Sequence, residues 1–501
     1  MIKRIFLSLS SVLIGLFTLK TIKIYLIRRR YKHLPGPKTN GIIGFYFGQY
    51  FEIVNHVSNQ NLQHELHLKW SKLYGSIFKY QVLDRMTVII SNEETVKATL
   101  IDEDIPKKPI AAFPLGERFL GFGLLTETDK SKWRHRRQIL NHVFKKDILL
   151  GNLNEFNSKG DILIEHLKNL CLSNGSSSSL QLFYELNRLT LDIIAKVAFD
   201  LDTNCLKKSE SKLNLYITKG LEATTLEIID PLCKFKPNKW SSITNLKESM
   251  RKLRKFSIES LTIKLNELKD TQFLGKNVLS FLIQNAKTEE DFDFERLVDD
   301  FVTFFIGGQE TTANALAFCF LELGQNPEVL KKLREEIDSV LGSKKYINND
   351  DLSKLEYTSA VFKESLRKWP PVASFSRILD EDIELLGYKI PKNTFFLMPV
   401  YVMARSEKYF PEPEEFKPER FLKNDPFSSQ NRISSYTYMP FSIGPRNCIG
   451  QNFAKIEGKL ILAKIIQNFD FELDPNQSFK VVQHATLRPI DGVKIFLKPR
   501  Q

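Results

Sequence analysis

The chain has 501 residues, 42% of them hydrophobic, with 38 Phe and only 4 Trp. That is enough apolar material for a large core around an apolar cavity, and no low-complexity linker divides it. A formal charge of +13 comes without any nucleic-acid motif, so it points to a membrane surface or an acidic protein partner and away from nucleic acid. Five scattered cysteines, Cys171, Cys205, Cys233, Cys319 and Cys448, have no C-x-x-C spacing, which argues against a disulfide framework and for a reducing compartment.

Residues 1–30 read as an N-terminal transmembrane signal anchor. Ile5 to Leu19 carries no charge, although a span needs about 20 residues. Lys20 and Lys23 can snorkel, and Ile22 to Ile27 adds apolar length. Arg28, Arg29 and Arg30 outnumber Lys3 and Arg4, so the C-terminal side is expected to face the cytosol. A cleaved signal peptide would need a small-residue site, which Ile24-Tyr25-Leu26-Ile27 does not offer, and a transit peptide would be amphipathic. Residues 31–40, with Leu34-Pro35-Gly36-Pro37, form a stiff elbow. Residues 41–501 read as one domain.

Within that domain, Ser76–Tyr80 and Met86–Ser91 around Asp84-Arg85 predict a hairpin. Pro106 to Thr126 is a long Gly-, Pro- and Phe-rich loop, a length that is usually functional. Ser131 to Lys145 is a basic helix. Helical periodicity dominates from Asn154 to Leu366, with a long helix from about Asp291 to Gly324. Tyr388–Met403 and Phe479–Leu497 are β-like. The fold class is mainly α with a minor β region.

The most informative stretch is Phe441-Ser442-Ile443-Gly444-Pro445-Arg446-Asn447-Cys448-Ile449-Gly450. It sets one cysteine in a glycine-flanked loop just before a helix beginning near Gln451. A thiolate there is stabilised by the helix dipole and by unpaired backbone N–H groups. Gly444 suits a bulged turn, and Gly450 lets the backbone approach a flat ligand closely. In the long helix, Phe301, Phe304, Gly308, Thr311 and Ala315 share one face. Gly307 and Gly308 each cost near 1 kcal/mol relative to Ala in a helix and remove bulk beside Glu310 and Thr311. A hydroxyl that orders water and a carboxylate that recharges it make a proton relay.

The F-x-x-G-x-R-x-C-x-G pattern resembles the haem-binding loop of the cytochrome P-450 superfamily, the haem-thiolate monooxygenases, and Gly308-Gln309-Glu310-Thr311-Thr312 resembles that family's oxygen-binding helix. The resemblance implies a fold that holds haem b between the long central helix and the cysteine loop. It implies O2 as co-substrate and electrons from NADPH through a flavoprotein, an NADPH-cytochrome reductase. Cys448 would be the axial iron ligand, which favours O–O cleavage. Phe441 would cover the sulfur, and Arg446, with Trp133, Arg137 and Arg377, would meet the haem propionates. Glu364 and Arg367, at i and i+3, with Arg420 of Pro418-Glu419-Arg420-Phe421, would form a buried structural network. The cluster Lys130, Lys132, Arg134, Arg136, Lys145 and Lys146 reads either as a solvated face or as a docking patch for an acidic electron donor.

Within the superfamily, Phe301-Val302-Thr303-Phe304-Phe305-Ile306, Gly342-Ser343-Lys344-Lys345-Tyr346, Tyr401-Val402-Met403-Ala404-Arg405 and Ala485-Thr486-Leu487-Arg488-Pro489 are most similar to the cholesterol 24-hydroxylase branch. There are departures: Ala373 stands where that branch has Trp, Gly307 for Ala and Gln309 for His. The substrate pocket is expected around Phe113, Leu115, Phe122, Phe305, Gly307, Val372, Ala373, Phe375 and Thr486. The resemblance implies insertion of one oxygen atom into a hydrophobic lipid, above all side-chain hydroxylation of a sterol such as cholesterol, at the endoplasmic reticulum membrane in single-pass form. The alternatives are a fatty-acid, other lipid or xenobiotic hydroxylase, and, in a different class, an isomerase or ligand binder. Fatty-acid ω-hydroxylases often carry Glu where Gly307 stands.

Overall fold

Helical periodicity fills the middle of the chain, and the folded chain follows it. The structure, a computed structural model, describes residues 2–102, 120–174, 178–207, 212–270, 277–282, 293–430 and 433–500, and not the side chains of 2–10, 223, 268–270 and 430. The helices used below are α1 (Ile2–Arg30), α2 (Gly41–Phe47), α3 (Tyr50–Ser58), α4 (Gln63–Tyr74), α5 (Lys130–Val143), α6 (Leu153–Asn174), α7 (Leu182–Phe199), α8 (Leu213–Ile229), α9 (Pro237–Asp270), α10 (Phe294–Gln325), α11 (Pro327–Leu341), α12 (Glu356–Lys368) and α13 (Gln451–Asn468). The strands are β1 (Ile77–Val82), β2 (Arg85–Ile90), β3 (Leu180–Gln181), β4 (Phe375–Ile378), β5 (Ile383–Leu385), β6 (Tyr388–Ile390), β7 (Phe395–Met398), β8 (Phe469–Leu473), β9 (Val481–Gln483), β10 (Leu487–Pro489) and β11 (Lys494–Pro499). Two compact units result: Met1–Pro109 with Ser374–Met403, and Ile110–Ala373 with Ala404–Gln501.

In the first unit a four-stranded sheet runs in the order β1-β2-β7-β4. The expected hairpin is β1–β2, antiparallel from Ile77↔Ile90 to Val82↔Arg85, and Leu83 takes φ 55° in its turn. β7 joins β2 in parallel, so a segment from late in the chain completes the sheet. After β7 the expected β pattern fails, because Val400–Met403 is a helical turn. Pro399 has no N–H to give a ladder, and its carbonyl accepts from Val402 and Met403 instead. The core packs Ile53, Leu66, Trp70, Phe78, Tyr80 and Ile89, each large side chain contributing about 1.5–3 kcal/mol. His64 and His67 of α4 lie in this unit with rings 5.6 Å apart. His67 is 1% exposed, neither of its ring nitrogens has a hydrogen-bond partner among the described residues, and burial followed by His64 pushes its pKa well below the ordinary value.

The elbow lies along β1. Lys79 N–H donates to the Pro35 carbonyl at 2.9 Å. Gly36, at φ 154°, is needed there, since a Cβ would stand 2.0 Å from the Lys79 carbonyl oxygen. The single-pass span is not supported. Among the described residues no helix is long and apolar enough to cross a membrane.

In the second unit α10 is central and packs against α7, α9, α12, α13 and β10. The Asp293 side chain accepts from Arg296 N at 3.1 Å and starts α10 there, slightly later than the sequence suggests. The helix runs unbroken through Gly307 and Gly308. Its aromatic face is packed: Phe301 stacks on Phe305 at 4.4 Å, and Phe199 of α7 meets both. β3-β11-β8 and β9–β10 form the smaller sheets.

Candidate functional site

Cys448 sits at the end of the loop that leads into α13, which begins at Gln451 with Gly450 as its N-cap. The thiol is exposed and forms no disulfide. The loop is held by its own backbone: Cys448 N–H donates to the Phe441 carbonyl at 2.8 Å, and Asn447 N–H to Gly444 at 3.0 Å. Gly444 takes φ 73° and Ser442, less comfortably, takes φ 59°. Gly450 is not left-handed. A Cβ on it would stand 3.9 Å from the Cys448 sulfur, beside the one atom a flat ligand would need to reach. The Lys455 ammonium lies 5.5 Å from the Phe441 ring centroid.

Arg137 of α5 is engaged at this loop. It donates to the Asn447 carbonyl at 2.7 Å, to Asn447 Oδ1 at 2.6 Å and to Asn141 Oδ1 at 2.8 Å. Its first action is therefore to brace the residue before Cys448, where the sequence suggested a propionate contact. Arg446 behaves differently. Its guanidinium lies 4.2 Å from the Trp133 ring centroid, and Nη1 donates to the Glu127 carbonyl at 2.9 Å. Nη2 is buried with no hydrogen-bond partner among the described residues. Burial pulls its pKa down to about 10, with Glu127 opposing and Arg137 adding to the fall. A buried cation with a donor left over is what a carboxylate ligand needs. Arg377 lies in the first unit, 3% exposed, and donates to the Ser376 carbonyl at 2.8 Å.

On α10 the two glycines do different things. A Cβ on Gly307 would meet nothing within 4 Å, whereas one on Gly308 would stand 2.5 Å from Ile194 of α7. Gly307 opens a face; Gly308 lets two helices touch. Gln309 also faces α7: its side-chain amide donates to Asn187 Oδ1, and its backbone carbonyl accepts from the Thr190 hydroxyl. That departure from the branch pattern thus falls on a packing face. The Thr311 hydroxyl donates to the Gly307 carbonyl at 2.8 Å, which leaves its oxygen lone pairs open beside that face.

Glu310 turns elsewhere. It is 2% exposed and accepts from the Thr486 hydroxyl at 3.0 Å, while Thr486 accepts from the Asn314 amide at 2.9 Å. Burial raises its pKa, and the Arg488 charge opposes that rise. Arg488 lies 2.9 Å from His484 Nε2 and 3.5 Å from Glu222 of α8. Burial and Arg488 pull His484 down to about 4. Thr486, expected in the substrate pocket, is thus occupied as a partner of the acid. Sequence reasoning missed Asn314, although its i+4 spacing from Glu310 places both on one helix face. It also missed Glu457 of α13, 0% exposed, whose pKa burial drives well above the ordinary range against the Thr312 hydroxyl.

The remaining expected pocket residues scatter. Phe305 is fully buried in the aromatic core. Phe122 is 47% exposed, Ala373 is buried and Val372 half-buried. Phe375 belongs to the first unit, and Phe113 and Leu115 lie outside the described residues. The loop at 121–126 is fastened to α10: Phe122 N donates to Asp299 at 2.7 Å and Leu124 N to Asp300 at 2.8 Å. Arg136 is bonded to the buried Asp300, so it leaves the expected docking patch; Lys130 is half-buried, while Lys132, Arg134, Lys145 and Lys146 are exposed.

Glu364, Arg367 and Arg420 come together. Arg367 grips Glu364 with two bonds of 2.8 and 2.9 Å, and Arg420 adds one at 3.2 Å. Arg367 also donates to the carbonyls of Ala404 and Glu415, and Arg420 to that of Glu412. The network therefore fixes the chain between residues 404 and 420.

A family model described as Cytochrome P450 matches residues 41–496. The chain is similar to cytochrome P450 4d2 of Drosophila melanogaster, 29% identical over 456 residues that cover 86% of this chain and 88% of that one. It is 34% identical to cytochrome P450 4V2 of Rattus norvegicus over 402 residues, 76% of this chain and 74% of that one. It is 29% identical to cytochrome P450 3A13 of Mus musculus over 428 residues, 81% and 80% of the two chains. None of these three bears the name of the cholesterol 24-hydroxylase branch. The chain belongs to the cytochrome P450 family, as a monooxygenase that uses haem b, O2 and electrons supplied by a reductase.

Proposed function

We propose that this monooxygenase hydroxylates the side chain of a sterol such as cholesterol, with Cys448 as the axial haem ligand. The observation that carries the haem site is the exposed Cys448 thiol at the start of α13, in a loop braced by Arg137 and by the Phe441 carbonyl. The surroundings fit a haem. Arg446 offers a buried, unpartnered N–H for a propionate, the open space at Gly307 admits a flat ring or O2, and Gly450 keeps the sulfur clear. The Trp133 ring lies against the Arg446 guanidinium.

Bound haem supplies the redox-active iron at which O2 is activated. The chain's part is to move protons and exclude water. The Thr311 hydroxyl, tied to the Gly307 carbonyl, presents an acceptor oxygen to a water in the open face. Burial raises the Glu310 pKa, which suits the carboxyl to proton exchange, and a turn of its side chain toward Thr311 would hand a proton to the water held there. Glu364, Arg367 and Arg420 hold the chain leading to the cysteine loop and take no chemical step.

The sterol assignment rests on the four segments similar to the cholesterol 24-hydroxylase branch and on Gly307, where a fatty-acid ω-hydroxylase often has Glu. A fatty-acid, other lipid or xenobiotic substrate is the second reading, favoured by the 4 and 3A names of the relatives. The enzyme works at the endoplasmic reticulum membrane facing the cytosol, and Lys132, Arg134, Lys145 and Lys146 receive an acidic reductase. Reconstitution with NADPH-cytochrome reductase and a panel of sterols and fatty acids, with mass analysis of the products, tests this. A side-chain hydroxysterol formed in step with NADPH consumption supports it. Oxidation of fatty acids alone moves the assignment to the second reading, and NADPH consumption tied to no substrate would defeat both.

A further inference from the structure

A cleft of about 470 Å3 lies in the first unit, where the end of α1 meets α2 and the β1–β2 hairpin. Four cations line it, Arg28, Arg29, Lys32 and Lys79, and among the described residues no carboxylate does. The wall is built. Arg28 donates to the Gly44 carbonyl at 3.1 Å and to the Thr39 hydroxyl at 2.8 Å, and lies 5.4 Å from the Phe45 ring centroid. The Lys79 ammonium donates to the Tyr31 carbonyl, which leaves it two further N–H groups. Partial burial and then the Arg28 charge pull the Lys79 amine down to about 8.

The cations just outside the cleft have carboxylates. Lys23 pairs with Asp84 at 2.7 Å and Arg30 approaches Asp382 at 3.9 Å. Arg29 and Lys32, which face the cleft, form no ion pair among the described residues. Like charges gathered round one hollow repel one another, and a bound anion relieves that repulsion. The rim identifies the anion's other half. On the last turns of α1, Ile22, Tyr25 and Leu26 are 49, 54 and 55% exposed, and Tyr25 also lines the cleft. The exposed apolar surface continues back along the helix through Leu19, Phe17 and Leu16. A cationic hollow at the end of a bare apolar helix fits an amphiphile with an anionic head.

We propose that this cleft binds the phosphate headgroup of an anionic phospholipid, with its acyl chains along the exposed apolar surface of α1. The assignment is independent of the substrate and of the haem site.

Partition of the full-length enzyme onto phosphatidylcholine vesicles, with and without phosphatidic acid, tests it. Phosphatidic acid should strengthen binding, and Arg29→Gln with Lys32→Gln should lose well over the roughly 30-fold that any two surface cations are worth. Arg30→Gln with Lys38→Gln removes the same charge next door but outside the cleft, and should lose no more than about 30-fold. Equal losses by both pairs, or no effect of phosphatidic acid, would overturn the site. Acylation of Lys79 in the unmutated protein gives a second reading that does not depend on a variant folding. Phosphatidic acid vesicles should protect Lys79, whereas phosphatidylcholine vesicles and inorganic phosphate should not. Equal protection by inorganic phosphate would assign the cleft to a soluble ligand and overturn the lipid, and protection by none of the three would overturn the site altogether.

Discussion

Glu364 and Glu310 are both buried, 0 and 2% exposed, yet they are treated in opposite ways. Glu364 is met by two guanidinium groups and by the Lys417 N–H at 3.0 Å. Among the described residues Glu310 has only neutral close partners, the Thr486 hydroxyl and the Asn314 amide. A carboxylate gripped by two guanidinium groups cannot move without leaving buried charges unpaired, so it serves as a fixed point. A carboxyl whose charge is disfavoured by burial keeps a proton and can pass it on. Burial alone therefore says little about a role; the charge of the partners decides it.

The sharpest way to break this contrast is Glu364→Ala. It leaves Arg367 and Arg420 buried and uncompensated, and should cost about 3–5 kcal/mol of unfolding free energy in urea. A loss below about 1 kcal/mol would mean that the network holds nothing. Glu310→Gln should do the reverse. Its carboxyl has a folded-state pKa above the unfolded value, so burying it costs stability once the pH rises past that unfolded value. The neutral amide removes that cost, and the melting temperature at pH 7.5 should hold or rise. Product per NADPH should fall by up to about 100-fold while NADPH oxidation continues. Undiminished coupling would remove Glu310 from the relay.

His67 extends the comparison to a buried base with no hydrogen-bond partner among the described residues. Its pKa in the folded state lies well below 6.5, so below pH 6.5 only the unfolded chain takes up the proton and stability falls. The slope approaches 1.4 kcal/mol per pH unit. His67→Phe should flatten the stability profile between pH 7 and 5 by about that amount per unit, and an unchanged profile would place the titration elsewhere. Thr486→Val should have the smallest effect, near 1 kcal/mol or about fivefold in product per NADPH. Thr486→Ser should restore coupling; if Val couples as well as Thr, the hydroxyl does not position Glu310.

What could be read from the sequence was local. The start of α13 at Gln451, the course of α10 and the β1–β2 hairpin follow from glycine placement, periodicity and turn residues within short windows. Glu364 and Arg367 share a helix face by spacing, and only the family resemblance added Arg420. The rest is tertiary. Gly307 and Gly308 look alike in the sequence, and only Ile194 on α7 separates their roles. The Thr486–Glu310 bond and the Arg137–Asn447 brace join residues far apart in the chain. So does the parallel pairing of β2 with β7, which brings residues 374–403 back to the N-terminal sheet. Arg136 read as a surface cation because nothing near it in sequence signals Asp300. Phe305 read as pocket lining because an apolar helix face does not say whether it meets a ligand or another helix.

The central claim is that the Cys448 thiolate binds the haem iron, and the ferrous carbon monoxide complex tests it most directly. The unmutated protein should show the red-shifted Soret band that a thiolate ligand produces, and Cys448→Ser should lose that band, whether or not haem is retained. A Cys448→Ser protein that keeps the band would contradict the account.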